Sequence, residues 1–160
     1  MQIQALAGSH NRDTFDCGRA GLNEWLRQVA RQHQEKGLSK TFVAVQADAP
    51  TRICAYYALT LSELDTSHLP KNLGEKLPKR IPGIRLGRLA VDIAFQGKRL
   101  AGLMLVDALT RAHRIYQDAC GLGLFVDAID DKAAGFYRHF GFASSPDRPL
   151  LMFLPLSSLE

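Results

Sequence analysis

The sequence predicts a mixed α/β fold in which helices flank a central sheet. Two β-branched and aromatic runs, 40–46 and 52–61, are separated by Asp-Ala-Pro-Thr, and this arrangement predicts an antiparallel hairpin. The C-terminal half then alternates between strand and helix patterns, with strands at 84–91, 122–127 and 150–156 and helices at about 98–118 and 131–139. An antiparallel start followed by this alternation indicates a mixed sheet.

The N-terminal region adds a short strand at 2–7, a loop at 8–21 rich in Gly, Asn, Asp and Ser, and an amphipathic helix. Apolar residues of this helix recur at the spacing i, i+3, i+4, i+7, i+8, namely Leu22, Trp25, Leu26, Val29 and Ala30. We predict one continuous helix that Gly37 ends. Residues 62–83 contain three prolines and many charges, which predict a long loop or a short helix.

Length and composition bound the class of protein. The 160 residues, 46% of them hydrophobic, suffice for one buried core, and we predict a single domain over 1–160. No N-terminal apolar run has signal-peptide length and no stretch approaches the ~20 apolar residues of a membrane span, so we expect a cytoplasmic protein without membrane association. The cysteines lack metal-ligand spacing and predict free thiols that serve packing, with no metal: Cys17, Cys54 and Cys120.

The net charge of +4 is unevenly distributed along the chain. Between residues 71 and 88 a cluster of cations stands against Glu75 alone: Lys71, Lys76, Lys79, Arg80, Arg85 and Arg88. Such a cluster favours a polyanionic partner, and a solvated basic surface without a partner fits the charge equally well.

A small-residue turn leads into the helix at 98–118. It contains two glycines, one alanine and two cations, in the order Gln96, Gly97, Lys98, Arg99, Leu100, Ala101, Gly102. The free N–H groups and positive dipole end of a helix start bind anions, and small residues let a phosphate approach the backbone closely. The pattern predicts a phosphate-binding turn, while a plain strand-to-helix turn would have a similar composition.

Two helices carry specific burial predictions. Polar residues of the helix at 98–118 fall on a single stripe, so most of its circumference is predicted to be buried: Asp107, Arg111, Arg114 and Asp118. In the helix at 131–139, Asp130 is the predicted N-cap and Gly141 the predicted stop. Phe136 and Phe140 are expected to face the core, with Tyr137 at its edge and the tyrosine hydroxyl free.

The stretch "RLAVDIAFQGKRLAGLML" resembles the acetyl-CoA-binding motif of the GNAT N-acetyltransferases, which reads Gln or Arg, two residues, Gly, one residue, then Gly or Ala. Gln96 and Ala101 fill the outer positions, and Arg99 stands at the middle glycine. We expect Arg99 to adopt helical φ and ψ, where no glycine is needed, and its guanidinium could pair with phosphate. The resemblance implies a single-domain GNAT fold, whose mixed, mostly antiparallel sheet is flanked by helices, and acetyl-CoA as co-substrate.

The same resemblance implies roles for individual residues. The turn at 96–102 would hold the pyrophosphate of acetyl-CoA, and the backbone of Leu89, Ala90 and Val91 would pair with the pantetheine arm. Tyr137 stands where many GNAT members carry the tyrosine that protonates the departing thiolate, and a phenol with a pKa near ~10 is a competent acid for it.

The acceptor amine must also lose a proton. Strand 84–91 contains no carboxylate before Asp92 that could act as the base, although Asp92 or Asp127 stay open for that role. A lysine amine with a pKa near ~10.4 would need such a base, whereas an α-amine near ~8 is already partly neutral at pH 7. This difference points toward an α-amine.

Two further stretches, "TFDCGRAGLNEWLRQVARQHQEKGLSKTFV" and "RLGRLAVD", together with the Phe-Tyr motif, resemble the toxin branch of the GNAT superfamily. The resemblance covers essentially the whole chain. It implies acetylation of the α-amine of aminoacyl-tRNA, which blocks translation, a cognate ribbon-helix-helix antitoxin and a homodimer. Arg27 and Arg31, one helical turn apart on a polar face, and Lys36 are then candidates for contacts with RNA phosphates.

Other functions stay open from the sequence. An acetyltransferase of the same class could act on a protein N-terminus, a lysine or a small-molecule amine, although a polyamine would call for an acidic pocket and the chain is basic. A non-catalytic module that Arg99 has spoiled is disfavoured, because Gln96, Ala101, Gly102 and Tyr137 are all present. No cysteine lies in a recognisable Cys/His arrangement, which argues against a cysteine nucleophile.

Overall fold

The structure, a computed structural model, describes residues 1–159. Within them the strands are β1 (Gln2–Ala5), β2 (Lys40–Val45), β3 (Ala55–Asp65), β4 (Arg80–Val91), β5 (Gly123–Asp127), β6 (Ala143–Ser144) and β7 (Leu151–Pro155). The α-helices are α1 (Ala20–Gln28), α2 (Ala30–Glu35), α3 (Lys71–Gly74), α4 (Leu100–Asp118) and α5 (Asp131–His139). Short 3-10 helices lie at Thr66–His68, Ile93–Phe95 and Leu156–Leu159. None of these helices has the length and apolar composition needed to cross a membrane.

The strands form one mixed sheet in the order β1-β2-β3-β4-β5-β7-β6. The predicted hairpin is confirmed, because β2 and β3 pair antiparallel from Lys40 opposite Leu59 to Ala44 opposite Ala55. β1 pairs antiparallel with β2, and β7 pairs antiparallel with both β5 and β6. β4 and β5 pair in parallel through Ile84↔Leu124 and Arg85↔Phe125. The mixed, mostly antiparallel α/β fold is therefore confirmed.

The chain divides into two compact units, each with a core of its own. Unit 1 contains Met1–Thr60 and Leu86–Ala108, and unit 2 contains Leu61–Arg85 and the chain from Leu109 onward. In unit 1 the rings of Trp25 and Tyr56 stack with centroids 6.1 Å apart, and the Tyr56 hydroxyl donates to the carbonyl of Leu22 at 2.6 Å. Phe125 and Phe153 lie in the core of unit 2. Burying each such ring contributes about 1.5–3 kcal/mol.

The predicted single helix at 22–36 is wrong in its continuity. Val29 has φ −118° and ψ −39°, and it separates α1 from α2. A φ this negative lies outside the helical range, so the break is local to this β-branched residue. The N–H of Val29 still donates to Trp25 and that of His33 to Val29, at 2.9 and 3.0 Å. Gly37, at φ 72°, follows the end of α2 as predicted.

Residues 62–83 are more regular than predicted at both ends. β3 continues to Asp65 and β4 already begins at Arg80, so only the middle contains the loop and the predicted short helix. Prolines lower the expectation of a strand, but Pro82 occupies an exposed position of β4 between the buried Ile81 and Gly83. Buried and exposed residues alternate over the first part of β4, and this packing favours a strand more strongly than the local composition disfavours one.

Helix α4 confirms its predicted position but not its predicted burial. Its inner face contains Met104, Leu105, Ala108 and Ala112, all fully buried. Leu103 and Val106, however, are 47% and 50% exposed on another face. An apolar residue on a helix need not be buried, because a protein has too little polar surface to cover itself. The apolar composition of α4 therefore overstated how much of its circumference is covered.

His10 links the N-terminal loop to β1 in its neutral form. The buried imidazole accepts a hydrogen bond from the backbone amide of Ala7 at its Nδ1, 2.9 Å away. Its Nε2 therefore carries the proton and donates to the Gln4 side-chain oxygen at 3.1 Å. Burial lowers the pKa of His10 below its usual value.

This neutral histidine predicts a loss of stability in mild acid. The pKa of His10 is lower in the folded chain than in the unfolded chain, where it is about 6.5. The neutral histidine therefore makes its full contribution to the free energy of unfolding above a pH of about 6.5. The contribution is lost as the pH falls through the lowered folded pKa. We expect the free energy of unfolding, measured by denaturant titration from pH 7.5 to 5, to fall more steeply in the parent than in His10→Gln. Parallel curves for the two proteins would contradict this assignment.

Candidate active site

The predicted site residues fall in both units. Unit 1 contains the turn at 96–102, which we call the glycine turn, the β4 residues Leu89–Val91, and the cations Arg27, Arg31 and Lys36. Unit 2 contains Tyr137.

The glycine turn leads from the end of β4 into the first turn of α4. It follows the 3-10 helix Ile93–Phe95, whose first turn is capped by the Asp92 side chain, which accepts from the amide of Ala94 at 2.9 Å. Gly97 has φ 77°, and residues 96–99 are exposed. Successive N–H groups in turns that contain left-handed residues form concavities that bind anions. The turn and the N-terminus of α4 together offer the chemistry of a phosphate site.

Arg99 adopts the conformation that glycine favours, so the expectation of helical φ and ψ is wrong. Its φ is 62°, and α4 begins only at the next residue, Leu100. A non-glycine residue in the left-handed region costs about 1–2 kcal/mol through contacts of its Cβ. The GNAT pattern has glycine at this position. The backbone of Arg99 therefore adopts a conformation that favours glycine. The exposed side chain leaves the guanidinium accessible to an anion.

The Gln96 side chain holds the glycine turn in place from within unit 1. Its Nε2 donates to the carbonyl of Val91, at 2.8 Å, and to the carbonyl of Cys17, at 3.0 Å. The amide group therefore joins the end of β4 to a segment far away in the chain. Both donor positions of the Gln96 carboxamide are therefore engaged, and its backbone amide donates to the carbonyl of Ile93 at 3.4 Å.

The segment that receives Gln96 is a tight turn at Asp16–Gly18, which we call the N-terminal turn. The Asp16 carboxylate accepts from the amide of Gly18 and from the side chain of Asn23, both at 2.9 Å. These two bonds hold the pKa of Asp16 below its usual value, the Gly18 amide contributing most. The Asn23 Oδ1 in turn accepts from the amide of Cys17 at 2.9 Å. The turn lies in the stretch that resembles the toxin branch, but no spacing in the sequence indicated that it contacts the glycine turn.

Both carboxylates considered as general bases are engaged with partners. Asp92 is only 7% exposed, and its Oδ2 accepts from the amide of Asp16 at 3.0 Å while its Oδ1 caps Ala94. In unit 2, Asp127 accepts a hydrogen bond from the Arg85 guanidinium and lies 4.0 Å from that of Arg148. Asp92 is therefore a structural cap, and Asp127 belongs to an ion pair.

Three cations of unit 1 lie close to aromatic rings. Arg52 and Lys98 lie 5.0 and 5.6 Å from the centroid of Phe95, and Arg88 lies 4.4 Å from that of Trp25. At such distances the ring quadrupole attracts a cation. These contacts fix Lys98 near the base of the glycine turn.

The three predicted RNA-binding cations do not share one helix. Arg27 lies in α1 and Arg31 in α2, on either side of the break, so their predicted placement on one continuous helix is wrong. Arg31 pairs with Glu35 at 3.1 Å and is half-buried, whereas Lys36 is exposed at the end of α2. All three still belong to the same N-terminal part of unit 1.

The basic segment at 71–88 is partly neutralised within unit 2. Arg80 lies 3.5 Å from Glu63, and Arg85 is paired with Asp127. A cavity of about 570 Å³ is lined by cations and acids together, among them Lys71, Lys79, Asp65 and Glu75. The cluster read from the sequence is therefore not a uniform cationic face.

Tyr137 is buried in unit 2, contrary to the predicted arrangement of its helix. It is 6% exposed and packs edge-on against Phe136 and Phe142, with centroids 5.2 and 5.5 Å apart, while Phe136 itself is half-buried. Ala134 and Tyr137, three residues apart, form the inner face of α5. Burial raises the pKa of Tyr137, so the phenol keeps its proton at neutral pH.

The limits of α5 are as predicted. The Asp130 carboxylate accepts from the amide of Ala133 at 2.9 Å and caps the helix. Gly141 has φ 97°, and the amides that follow the helix donate back to Arg138 and Tyr137. These bonds satisfy backbone groups at the two ends of the helix.

The cysteines are free thiols, as predicted, but they differ in burial. Cys54 is buried, Cys17 is half-buried and Cys120 is exposed, so a packing role is wrong for Cys120. Residues 1–159 contain no group of three or more His, Cys, Asp or Glu side chains that could hold a metal ion.

Comparison with known proteins gives a consistent set of relatives. No protein-family model matches the chain. The chain is 34% identical over 142 residues to the tRNA-acetylating toxin of Mycobacterium tuberculosis. The matched region covers 88% of this chain and 83% of that protein. The solved structure of AtaT complexed with acetyl-methionyl-tRNAfMet matches with a TM-score of 0.91 and 27% identity, covering 99% of this chain and 96% of that one. A tyrosine-to-phenylalanine mutant of AtaT, bound to the C-terminus of the antitoxin AtaR and acetyl-CoA, matches with a TM-score of 0.81 and 27% identity over 99% and 95%.

The left-handed backbone of Arg99 predicts a stabilising substitution. In Arg99→Gly the Cβ contacts disappear, and we expect the free energy of unfolding to rise by about 1 kcal/mol. Arg99→Ala is the matched control, because it removes the guanidinium but keeps a Cβ, and we expect no gain. Denaturant unfolding of the three proteins measures the difference. Equal stabilities of Arg99→Gly and Arg99→Ala would show that the backbone is not strained here.

Proposed function

Because the chain belongs to the family of GNAT-fold tRNA-acetylating toxins, we propose that it transfers the acetyl group of acetyl-CoA to the α-amine of aminoacyl-tRNA and so blocks translation. The observation that carries the proposal is the similarity to a tRNA-acetylating toxin over 88% of the chain. The exposed glycine turn and the buried tyrosine supply chemistry that fits this reaction.

The glycine turn is proposed to bind the pyrophosphate of acetyl-CoA. Its exposed amides and the positive end of α4 suit an anion, with Lys98 and Arg99 as cations beside it. The remaining residues of the turn, Leu100, Ala101 and Gly102, would begin the helix that receives the phosphates. The extended backbone of Leu89, Ala90 and Val91 at the end of β4 would pair with the pantetheine arm, as a strand pairs with its neighbour.

The proposed reaction is direct attack of the α-amine on the thioester. The amine nitrogen forms a bond to the acetyl carbon, the carbon–sulfur bond breaks, and the coenzyme A thiolate takes the proton of the Tyr137 phenol. Burial raises the pKa of that phenol, and the phenol is protonated when the thiolate departs. The attacking amine releases a proton to solvent, because Asp92 and Asp127 are engaged elsewhere, and solvent returns a proton to the Tyr137 phenolate.

The acceptor RNA is proposed to contact the cations of α1 and α2. Arg27, Arg31 and Lys36 lie in one part of unit 1, and phosphate contacts of this kind add affinity without reading sequence. Such contacts release counterions and make binding salt-dependent.

The partners and location of the protein follow from its family and are proposals as well. AtaT is bound to the C-terminus of its antitoxin AtaR in a solved structure, and we propose that this chain has a cognate antitoxin of the ribbon-helix-helix class. We also propose a homodimer, one GNAT domain over 1–160, and a cytoplasmic location, where charged tRNA and acetyl-CoA are both present.

The first test follows label from acetyl-CoA into charged tRNA. We expect label in the RNA fraction with aminoacyl-tRNA and none with the same tRNA after deacylation. In Tyr137→Phe we expect kcat to fall by about 10²- to 10⁴-fold, because the proton donor is lost, while acetyl-CoA still binds. Tyr116→Phe, a tyrosine of α4, is the matched control and should keep its activity.

Two results of this test would redirect the proposal. Label that enters a peptide or a small amine but not charged tRNA would identify the acceptor as a protein or small molecule. Binding of acetyl-CoA by calorimetry without transfer to any amine would identify a non-catalytic module.

The RNA contacts predict a specific kinetic pattern. Replacing Arg27, Arg31 and Lys36 together by alanine should raise KM for aminoacyl-tRNA and leave KM for acetyl-CoA unchanged. Each lost phosphate contact should also reduce the slope of log affinity against log salt concentration by roughly 0.7–0.9. Arg114→Ala, an exposed arginine of α4, is the control for a general loss of positive charge. An unchanged salt slope in the triple variant would place the RNA elsewhere.

A further inference from the structure

We propose that Asn23 is a positioning residue for acetyl-CoA, which acts on the glycine turn through the N-terminal turn without touching the ligand. The inference rests on the proposed function in one respect, namely that the glycine turn binds acetyl-CoA. It assigns a role to the Asp16–Gly18 segment that the reaction itself does not use.

Asn23 holds the N-terminal turn by both ends of its carboxamide. The Oδ1 accepts from the amide of Cys17, and the Nδ2 donates to the Asp16 carboxylate, each at 2.9 Å. Asparagine is a weak helix former because its side chain competes for backbone groups, and in the first turn of α1 it does so. The turn also contains Gly18 at φ 88°, a conformation that the remaining bonds must maintain.

The N-terminal turn also holds the segment that leads into the glycine turn. The amide of Asp16 donates to the Asp92 carboxylate at 3.0 Å, and the amide of Ile93 donates to the carbonyl of Asp16 at 2.8 Å. The carbonyl of Cys17 accepts from the Gln96 side chain at 3.0 Å. Cys17 is therefore bonded at its N–H by Asn23 and at its carbonyl by Gln96, so the two side chains fix opposite sides of one residue.

This connection matters because the glycine turn contains a residue in a disfavoured conformation. Arg99 at φ 62° persists only if the surrounding structure determines it, and the Gln96 contact is the nearest fixed point on the β4 side of the turn. Amides that are oriented before the ligand arrives bind it without an ordering cost. Without Asn23, the amide of Cys17 loses its hydrogen bond. The carbonyl of Cys17, which accepts from the Gln96 side chain, is then held less firmly.

The same network contributes little to the stability of the fold. Gln96 is exposed, and Asn23 and Cys17 are half-buried, although Cys17 packs against the core cluster of unit 1. Hydrogen bonds near solvent exchange with water at a small net gain. An effect on acetyl-CoA binding that exceeds the effect on folding is therefore the signature of positioning.

The test compares Asn23→Ala with Gln34→Ala. Gln34 is a matched control in the same unit, because its side chain also bridges two backbone groups, donating to Leu6 at 2.8 Å and accepting from Thr41 at 3.0 Å. We expect Asn23→Ala to raise the Kd of acetyl-CoA by calorimetry, and KM for acetyl-CoA, by about five- to tenfold. The kcat at saturating acetyl-CoA should stay within about twofold of the parent. Gln34→Ala should leave the Kd unchanged.

Variants of Gln96 keep the proposal falsifiable if Asn23→Ala does not fold. Gln96→Glu has the same shape but places an oxygen against two carbonyls, so it should weaken acetyl-CoA binding at least as much as Asn23→Ala. Where Asn23→Ala folds, the double variant Asn23→Ala with Gln96→Ala should bind acetyl-CoA no more weakly than Gln96→Ala alone, because both substitutions act through Cys17.

An unchanged Kd in Asn23→Ala, a fall in kcat alone, or additive effects in the double variant would each overturn the positioning role. Failure of the proposed function looks different. The unmutated chain would then bind acetyl-CoA without labelling charged tRNA, and the Kd comparison among the variants would still decide the role of Asn23.

Discussion

The buried carboxylate of Asp92 is the constraint on which the candidate site depends. A carboxylate in this position is tolerated only if its oxygens are hydrogen-bonded, and they accept from the amides of Asp16 and Ala94. The amide of Asp92 itself donates to the carbonyl of Cys54 at 2.9 Å. One residue at the end of β4 thus joins the N-terminal turn, the start of β3 and the 3-10 helix before the glycine turn. Removing it would leave two backbone amides unpaired as well as freeing the turn.

Periodicity predicted the elements well because most of them bury one face. The β2–β3 hairpin, β4, β5, α4 and α5 all lie where alternation or helical spacing indicated. The errors arose where local pattern and tertiary packing disagree. Val29 continues the apolar stripe yet interrupts the helix, and Leu103 and Val106 are apolar yet exposed. In α5 a rotation of the helix by one residue decides whether Tyr137 or the phenylalanine pair faces inward, and spacing alone could not fix that rotation.

The site was predictable as a set of motifs but not as a connected structure. The glycine pattern identified the turn, yet a pattern that names a residue type at each position says nothing of φ at Arg99. The contact between Gln96 and Cys17 joins residues 79 positions apart in the chain. No spacing rule reaches so far, because such contacts depend on how the sheet brings β4 and the N-terminal loop together within unit 1. The stretch around Asp16 could therefore be identified by its resemblance to the toxin branch, but its contact with the glycine turn could not be predicted.

The engagement of both carboxylates has a consequence for the acceptor. Asp92 accepts from two amides and Asp127 from the Arg85 guanidinium. An amine that reacts without help from either carboxylate must arrive neutral. At pH 7 about one α-amine in ten is neutral for a pKa near 8, against about one lysine amine in 2,500 for a pKa near 10.4. Reaction without a general base therefore favours an α-amine by about two orders of magnitude, and the ester-linked amino acid of a charged tRNA presents that amine.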